Sequence, residues 1–328
     1  MTIEDIIMKA ITLEDEKYFI LTNEKLRSMG ITKIISEHKF QGLLRTGPKQ
    51  VDLAKNETIP IISAGGNDGT RPWVHQGNAN AIIIVSNTTG KIVATHTSIL
   101  PHKTKVFRHP SENIGQPPED LRDIFYSSCT ISDLRKIVAE NKNVNLGPDI
   151  YVITGISFDW KSNSIQIEVV DSRIEEPTEN IPPLQYAKPD LFIEVLNKPE
   201  DEQKGLEFTL PEKISTGDAS VILKASFPID SITPLEFEMN EQDLLKTIPF
   251  HLILLKQFQN HDPIYSIPIV AAYKSDNSEG KTGFFEIDLR KLVPTALTHP
   301  GKYYCYLAGF NLFSDAQVVI VEGDSGGE

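Results

Sequence analysis

Cysteine and histidine are the residue types in this chain best suited to covalent chemistry, and it has two cysteines and eight histidines. Cys129 lies in Tyr126-Ser127-Ser128-Cys129-Thr130, just before a predicted helix start, where a helix N-terminus would lower the pKa of its thiol. His96, His102 or His109 could then act as the base. The alternative is that Cys129 is a small buried hydrophobic side chain, as unpaired cysteines usually are.

Metal and phosphate binding are poorly supported by the spacing of the candidate residues. The three histidines at 96, 102 and 109 lack the His-x-x-x-His spacing of a helical zinc site. The Gly-rich segment of residues 63–70 lacks the phosphate-loop spacing Gly-x-x-x-x-Gly-Lys-Ser/Thr, and no helical pattern follows it at once. We therefore expect no metal and no other cofactor, and we interpret residues 63–70 as a surface loop.

Residues 73–101 form the stretch around which the chain is organised. An apolar run at residues 81–85 is followed by the turn sequence Asn87-Thr88-Thr89-Gly90 and by a second β-rich run that contains His96. This pattern predicts a β-hairpin. The first strand is apolar at successive positions, which predicts that both of its faces are buried.

This hairpin resembles that of the chemoreceptor glutamine deamidases and of the cytotoxic necrotizing factor-like toxin deamidases. Their pattern has a Gly just before a nucleophilic Cys, an apolar strand, a turn and a second strand ending at a His. In the chemoreceptor deamidases, Leu-Pro follows soon after that His. Gly77, His96 and Leu100-Pro101 fit the pattern over about thirty residues, and Ala79 occupies the position of the nucleophile, seventeen residues before His96.

The resemblance implies an amide-hydrolase site made by Ala79 (the nucleophile position), His96 as the base and Thr70 as a third member that orients His96. Alanine cannot attack an amide carbon, so the chain is expected to be a protein-glutamine deamidase or amidohydrolase relative without its thiol. The loss would be natural or engineered, and a bacterial effector is one setting for it. A register slip of one residue would put Asn80 at this position. The alternative is a core hairpin in which His96 is a hydrogen-bonded strand residue and Thr70 an ordinary loop residue.

The elements expected around the hairpin make residues 1–171 an α+β domain of β-hairpins and a few helices. The N-terminal pattern indicates a strand at residues 18–21, a helix at residues 23–30 with Asn23 as its cap, and a strand at residues 31–35. A helix at residues 133–140 is expected to be capped by Ser132 or Thr130. Residues 150–158 and 165–170 indicate a second hairpin.

The C-terminal part has a different pattern. Residues 172–189 are acidic and Pro-rich, which predicts a linker, and residues 323–328 read as a flexible tail. Between them, residues 190–322 contain β-like runs at intervals of ten to fifteen residues, which predicts an all-β sandwich. Tyr303 lies two residues before Cys305, as in the tyrosine-corner strand, so the predicted sandwich is immunoglobulin-like. The alternative function is therefore a non-enzymatic protein-binding or structural role for this sandwich.

Composition limits the partners and the compartment. The net charge of −13 over 328 residues argues against general nucleic-acid binding and against docking on anionic lipid. We expect a protein substrate or protein partner, no nucleic acid and no membrane, with the oligomeric state left open. The acidic N-terminus lacks a signal-peptide pattern, and two cysteines in different predicted domains fit a reducing compartment. The sequence thus predicts a cytoplasmic protein, or one exported without a cleaved signal peptide.

Overall fold

The computed structural model describes residues 1–68, 79–99, 125–141, 146–157, 159–174, 189–196, 205–231, 235–240, 243–257, 265–274 and 282–323. Most of these residues lie in β-strands that form several sheets. They divide into two compact units. Unit 1 contains the described residues of 1–84 and 93–175, and unit 2 contains those of 85–92, 176–259 and 263–328. Among all the described residues, no helix is long and apolar enough to span a membrane.

Unit 1 begins with four short helices, α1 (Ile3–Ile11), α2 (Asp15–Phe19), α3 (Asn23–Ser28) and α4 (Ile31–Glu37). Helix α1 starts at a capping box in which Thr2 and Asp5 each bond the backbone N–H of the other. The apolar sides of these helices form one cluster that includes Ile7, Ile11 and Leu26.

Two strands predicted for this region are helices instead, and those predictions were wrong. Residues 18–21 overlap α2, and residues 31–35 begin α4. The spacing of Ile31, Ile34 and Ile35 is that of a helical face, and Ile31 and Ile35 are both buried. The predicted helix after residue 22 is present, but its cap is Thr22, whose side chain accepts a hydrogen bond from the backbone of Lys25, rather than Asn23.

The remaining elements of the N-terminal half are β1 (Gly42–Thr46), β2 (Gln50–Asp52), β3 (Pro60–Asp68), β4 (Ala79–Ser86), β5 (Ile92–Ile99), β6 (Phe125–Asp133), α5 (Leu134–Glu140), β7 (Asp149–Ser157), β8 (Trp160–Lys161) and β9 (Ile165–Val170). One antiparallel sheet has the order β1-β3-β6. The other has the order β2-β9-β7-β4-β5, with β8 beside β7. Strands β7 and β9 are the second predicted hairpin.

The central hairpin is confirmed, because β4 and β5 are neighbours in one sheet and residues 81–85 are all buried. Two backbone hydrogen bonds hold its turn. The N–H of Gly90 donates to the carbonyl of Ser86 at 2.7 Å, and the N–H of Ser86 donates to the carbonyl of Lys91 at 2.9 Å. Gly90 has φ +63°, the left-handed conformation that a glycine adopts most easily at the end of such a turn.

The prediction of a loop at residues 63–70 was wrong as far as residue 68, because β3 continues through Asp68. The glycines that suggested a loop instead allow other parts of the chain to pack closely against β3. A Cβ on Gly66 would lie 2.6 Å from Cγ2 of Ile35 and would overlap the carbonyl oxygen of Phe40. Residues 69 and 70 lie outside the described part of the chain.

Unit 2 contains β10 (Leu191–Phe192), β11 (Glu194–Leu196), β12 (Glu207–Thr209), β13 (Lys213–Ser215), β14 (Ile222–Pro228), β15 (Leu235–Asn240), β16 (Asp243–Lys256), β17 (Tyr265–Lys274), β18 (Thr282–Asp288), α6 (Leu289–Leu292), β19 (Gly301–Gly309), β20 (Leu312–Phe313) and β21 (Gln317–Glu322). The larger sheet has the order β10-β17-β16-β19-β21-β13, with β15 beside β16 and β20 beside β19. The smaller sheet has the order β11-β18-β14-β12.

The two sheets of unit 2 share one hydrophobic core, so this unit is a β-sandwich, as the strand spacing predicted. Phe227 and Phe285 of the smaller sheet pack around Phe250 of the larger one, with ring centroids 5.0 and 5.1 Å from that of Phe250. The first of the β-like runs in residues 190–322 covers residues 191–196. It divides at Ile193, so that β10 joins the larger sheet and β11 the smaller one. The hydroxyl of Tyr303 donates to the carbonyl of His299 at 2.9 Å.

Candidate functional site

The predicted site residues lie on the central hairpin and just before it. Ala79 is the first residue of β4, and His96 is the fifth residue of the neighbouring β5. The side chain of Ala79 lies outside the described part, as does all of Thr70. Strands joined by so short a turn are antiparallel, so Ala79 lies at the end of the hairpin away from the turn, and His96 lies near the middle of β5.

His96 makes one specific contact that the sequence did not predict. Its Nδ1 lies 3.0 Å from Oε2 of Glu140, and 27% of the His96 side chain is exposed. A carboxylate at Nδ1 favours the tautomer in which Nδ1 carries the hydrogen, which leaves the lone pair of Nε2 available as a base. The pair thus places a carboxylate at one ring nitrogen of His96 and leaves the other able to accept a proton.

Glu140 is brought to His96 by helix α5, of which it is the last residue. The helix begins after Asp133, whose Oδ1 accepts hydrogen bonds from the N–H groups of Arg135 and Ile59, so the predicted caps Ser132 and Thr130 were wrong. Ile137 and Val138 pack into the core of unit 1. No sequence motif connects positions 96 and 140, and only the packing of α5 brings them together.

A cleft of about 530 Å³ opens beside this pair, within unit 1. Its wall contains His96 and Glu140, the polar side chains of Asn23 and Ser132, and Lys136 one helical turn before Glu140. Among the described residues, Lys136 has no ion-pair partner, and Glu140 is paired with His96. The volume is in the range of small-molecule sites in proteins, and the lining offers a base, a cation and hydrogen-bonding groups.

The alternative nucleophile, Cys129, is not at a helix start. It lies in the middle of β6, where its Cα partner is Ala64 of β3, and it packs against an apolar cluster. Burial raises the pKa of the thiol to about 12, so Cys129 is protonated at neutral pH and is not activated for attack. His102 and His109, the other proposed bases, lie outside the described residues. In the described ranges, no group of three or more His, Cys, Asp or Glu residues could hold a metal ion.

Comparison with known proteins adds little to this geometry. No family model matches the chain, and no curated protein matches it. It is similar to the crystal structure of Bacteroides uniformis beta-glucuronidase, with 9% identity, coverage of 81% of this chain and a TM-score of 0.19. A Bacteroides uniformis beta-glucuronidase 2 covalently bound to cyclophellitol-6-carboxylate aziridine gives 10% identity, the same 81% coverage and a TM-score of 0.18. The chain spans 27% of the length of each, and similarity at this level carries no argument about fold or function.

Proposed function

We propose that this chain is a protein-glutamine deamidase or amidohydrolase relative that lacks its cysteine nucleophile, with Ala79 in its place. The observation that supports this best is the pair of His96 and Glu140 beside the cleft, 3.0 Å apart. A thiol-dependent amide hydrolase needs a nucleophile, a base and a group that orients the base. The last two have candidates here, and Glu140 takes the role that the resemblance gives to Thr70.

The proposal assigns a proton path to the residues that remain. With a cysteine at position 79, Nε2 of His96 would take the thiol proton and the thiolate would attack the side-chain amide carbon of a glutamine. The same nitrogen would then give the proton to the departing ammonia, and water would hydrolyse the thioester. Glu140 would stabilise the charged imidazole during the first step.

Ala79→Cys tests this proposal, and Asn80→Cys is its matched control because the two differ by one position on the same strand. We expect the thiol at position 79 to react with iodoacetamide at pH 7 at least tenfold faster than the thiol at position 80, because a histidine base raises the thiolate fraction. Substitution of His96 by Ala in the Ala79→Cys background should remove this difference. Ammonia release from glutamine-containing peptides should follow the same order.

Equal reactivity of the two introduced thiols, or reactivity unaffected by His96→Ala, would refute the proposal. The non-enzymatic alternative would then be favoured, in which the sandwich of unit 2 binds a protein partner. In support of an immunoglobulin-like form for that sandwich, the Tyr303 hydroxyl bonds to the His299 carbonyl, as in a tyrosine corner. Free Cys129 and Cys305 are compatible with the proposed cytoplasmic location, or with export without a cleaved signal peptide.

A further inference from the structure

Arg45 is a fully buried arginine of unit 1. It lies in β1, and 1% of its surface is exposed. The side-chain amide of Asn163 holds its backbone on one side, since the Arg45 N–H donates to Oδ1 at 2.8 Å and Nδ2 donates to the Arg45 carbonyl at 2.9 Å. Its Cα partner on the other side is Ser63 of β3. The position of this residue is therefore fixed by both of its neighbours.

The guanidinium group occupies space that a glycine leaves open on β7. A Cβ built on Gly155 would overlap Nε, Cζ and Nη2 of Arg45. Burial of this kind lowers the pKa of Arg45 to about 10, which leaves the group charged at neutral pH. The interior of unit 1 thus contains a full positive charge.

No carboxylate compensates this charge within the described part of the chain. The hydrogen bond that the guanidinium makes there is from Nη1 to Oγ of Ser63, at 2.9 Å, and Nε has no acceptor. A buried cation without a counter-charge is strongly unfavourable. Water molecules would satisfy the free N–H groups but would not neutralise the charge.

Two more fully buried side chains with unused polar atoms lie on the strand faces that Arg45 contacts. Asn67 shares a face of β3 with Ser63, because alternate residues of a strand point the same way, and neither atom of its amide has a partner. Ser157 shares a face of β7 with Gly155, and its hydroxyl also has none. Both residues are at most 2% exposed.

We propose that Arg45, Asn67 and Ser157 form a buried site for a small carboxylic acid that also carries a hydroxyl or amino group. The guanidinium matches a carboxylate in charge, and its edge formed by Nη1 and Nη2 can donate to one, because Gly155 covers the edge formed by Nε and Nη2. The hydroxyl of Ser157 and the amide nitrogen of Asn67 add donors to the same anion. The amide oxygen of Asn67 needs a donor, which is why the ligand carries a second polar group. This site is separate from the cleft beside His96 and does not depend on its chemistry.

Thermal unfolding of the whole chain with lactate, acetate, phosphate or chloride at equal ionic strength tests the site. We expect lactate to raise the Tm of the unit 1 transition saturably, by about 5 to 10 °C at 100 times its Kd. Acetate should act more weakly because it lacks the hydroxyl, and chloride should have no effect. A stronger effect of phosphate than of lactate would overturn the assignment to carboxylates.

Arg45→Met separates ligand binding from a structural role, with Arg135→Met as the control because Arg135 is a half-buried arginine that bonds a carbonyl. Without added anion, Arg45→Met should unfold at the same temperature as the unsubstituted chain or higher, since it removes an uncompensated charge. It should also lose the response to lactate, whereas Arg135→Met should keep it. A lower Tm together with an unchanged lactate response would overturn the proposal.

Ser157→Ala provides a milder test that does not disturb the charge. Removal of one donor should weaken lactate binding roughly fivefold, while the anion-free Tm stays within a degree or two of the original. Unchanged lactate affinity in this variant, or an equal lactate response in every variant including Arg45→Met, would show that the anion acts elsewhere.

Discussion

Protonation of His251 is expected to destabilise unit 2 at acid pH. His251 lies in the middle of β16, between Pro268 of β17 and Ala308 of β19, and it is 8% exposed. Burial lowers its pKa from 6.5 to about 4, and the charge of Lys91 acts in the same direction. The Gly90 carbonyl acts in the opposite direction, and burial outweighs it. The ring is therefore neutral in the folded protein at pH 5.

The sign and size of the effect follow from proton binding. Below pH 6.5 the unfolded chain binds a proton at this histidine, and the folded chain does not until about pH 4. The free energy of unfolding is therefore fully retained above pH 6.5 and falls as the pH is lowered towards 4. At 1.36 kcal/mol for each pH unit between the two pKa values, the loss is about 3 kcal/mol.

Hydrogen exchange of peptides from β16 measures this loss as a function of pH and urea. We expect His251→Gln, which cannot be protonated, to lose about 3 kcal/mol less than the unsubstituted protein between pH 7.5 and pH 4. The exposed His299 is the substitution control, and His299→Gln should leave the loss caused by His251 in place. An identical pH dependence in His251→Gln and the unsubstituted protein would refute the reasoning.

Three further predictions concern the turn, the helix cap and the cysteines. Gly90→Ala should lower the free energy of unfolding by about 2 to 4 kcal/mol in urea titrations. The backbone at φ +63° is strained for alanine, and the new Cβ would overlap Pro249. Gly205→Ala is the control and should change the free energy of unfolding by no more than about 0.5 kcal/mol, because the space around Gly205 is open. Asp133→Ala should cost about 2 kcal/mol by the same measurement, because two backbone N–H groups lose their acceptor. Native Cys129 should be alkylated at pH 7.5 roughly a hundredfold more slowly than an ordinary thiol, because burial raises its pKa to about 12. Mass spectrometry after iodoacetamide treatment measures this, and fast labelling would contradict it.

Strand positions were predictable wherever the sequence alternates or carries a clear turn. The hairpin of β4 and β5 lies where the apolar run and its turn indicated. The strands of the sandwich lie in residues 190–322, where β-like runs recur. The pattern failed for short apolar runs: residues 18–21 and 31–35 suit a helix or a strand in isolation, and only the burial of Ile31 and Ile35 on one helical face decides the matter. The prediction at Gly65 and Gly66 was wrong because glycine indicates a loop, whereas here the missing side chains let neighbouring elements pack closely against β3.

The candidate site was predictable only in part. His96 was proposed because a hairpin with a histidine on its second strand resembles that of the deamidases, and its role as a base is still a prediction. Glu140 was not found, because its contact with His96 depends on how α5 packs against the core of unit 1 rather than on any local pattern. A pair of groups that are distant in the chain is visible in a single sequence only when a motif contains both of them.

The burial of Arg45 was not predicted from the sequence, although Arg45 directly follows two apolar residues. Leu43 and Leu44 are adjacent and both buried, so β1 is covered on both of its faces. Strand β1 continues to the buried Thr46, and the side chain of Arg45 stays inside the fold. A buried guanidinium is strongly unfavourable without a counter-charge, and no described carboxylate supplies one. The proposed carboxylate site would provide that counter-charge.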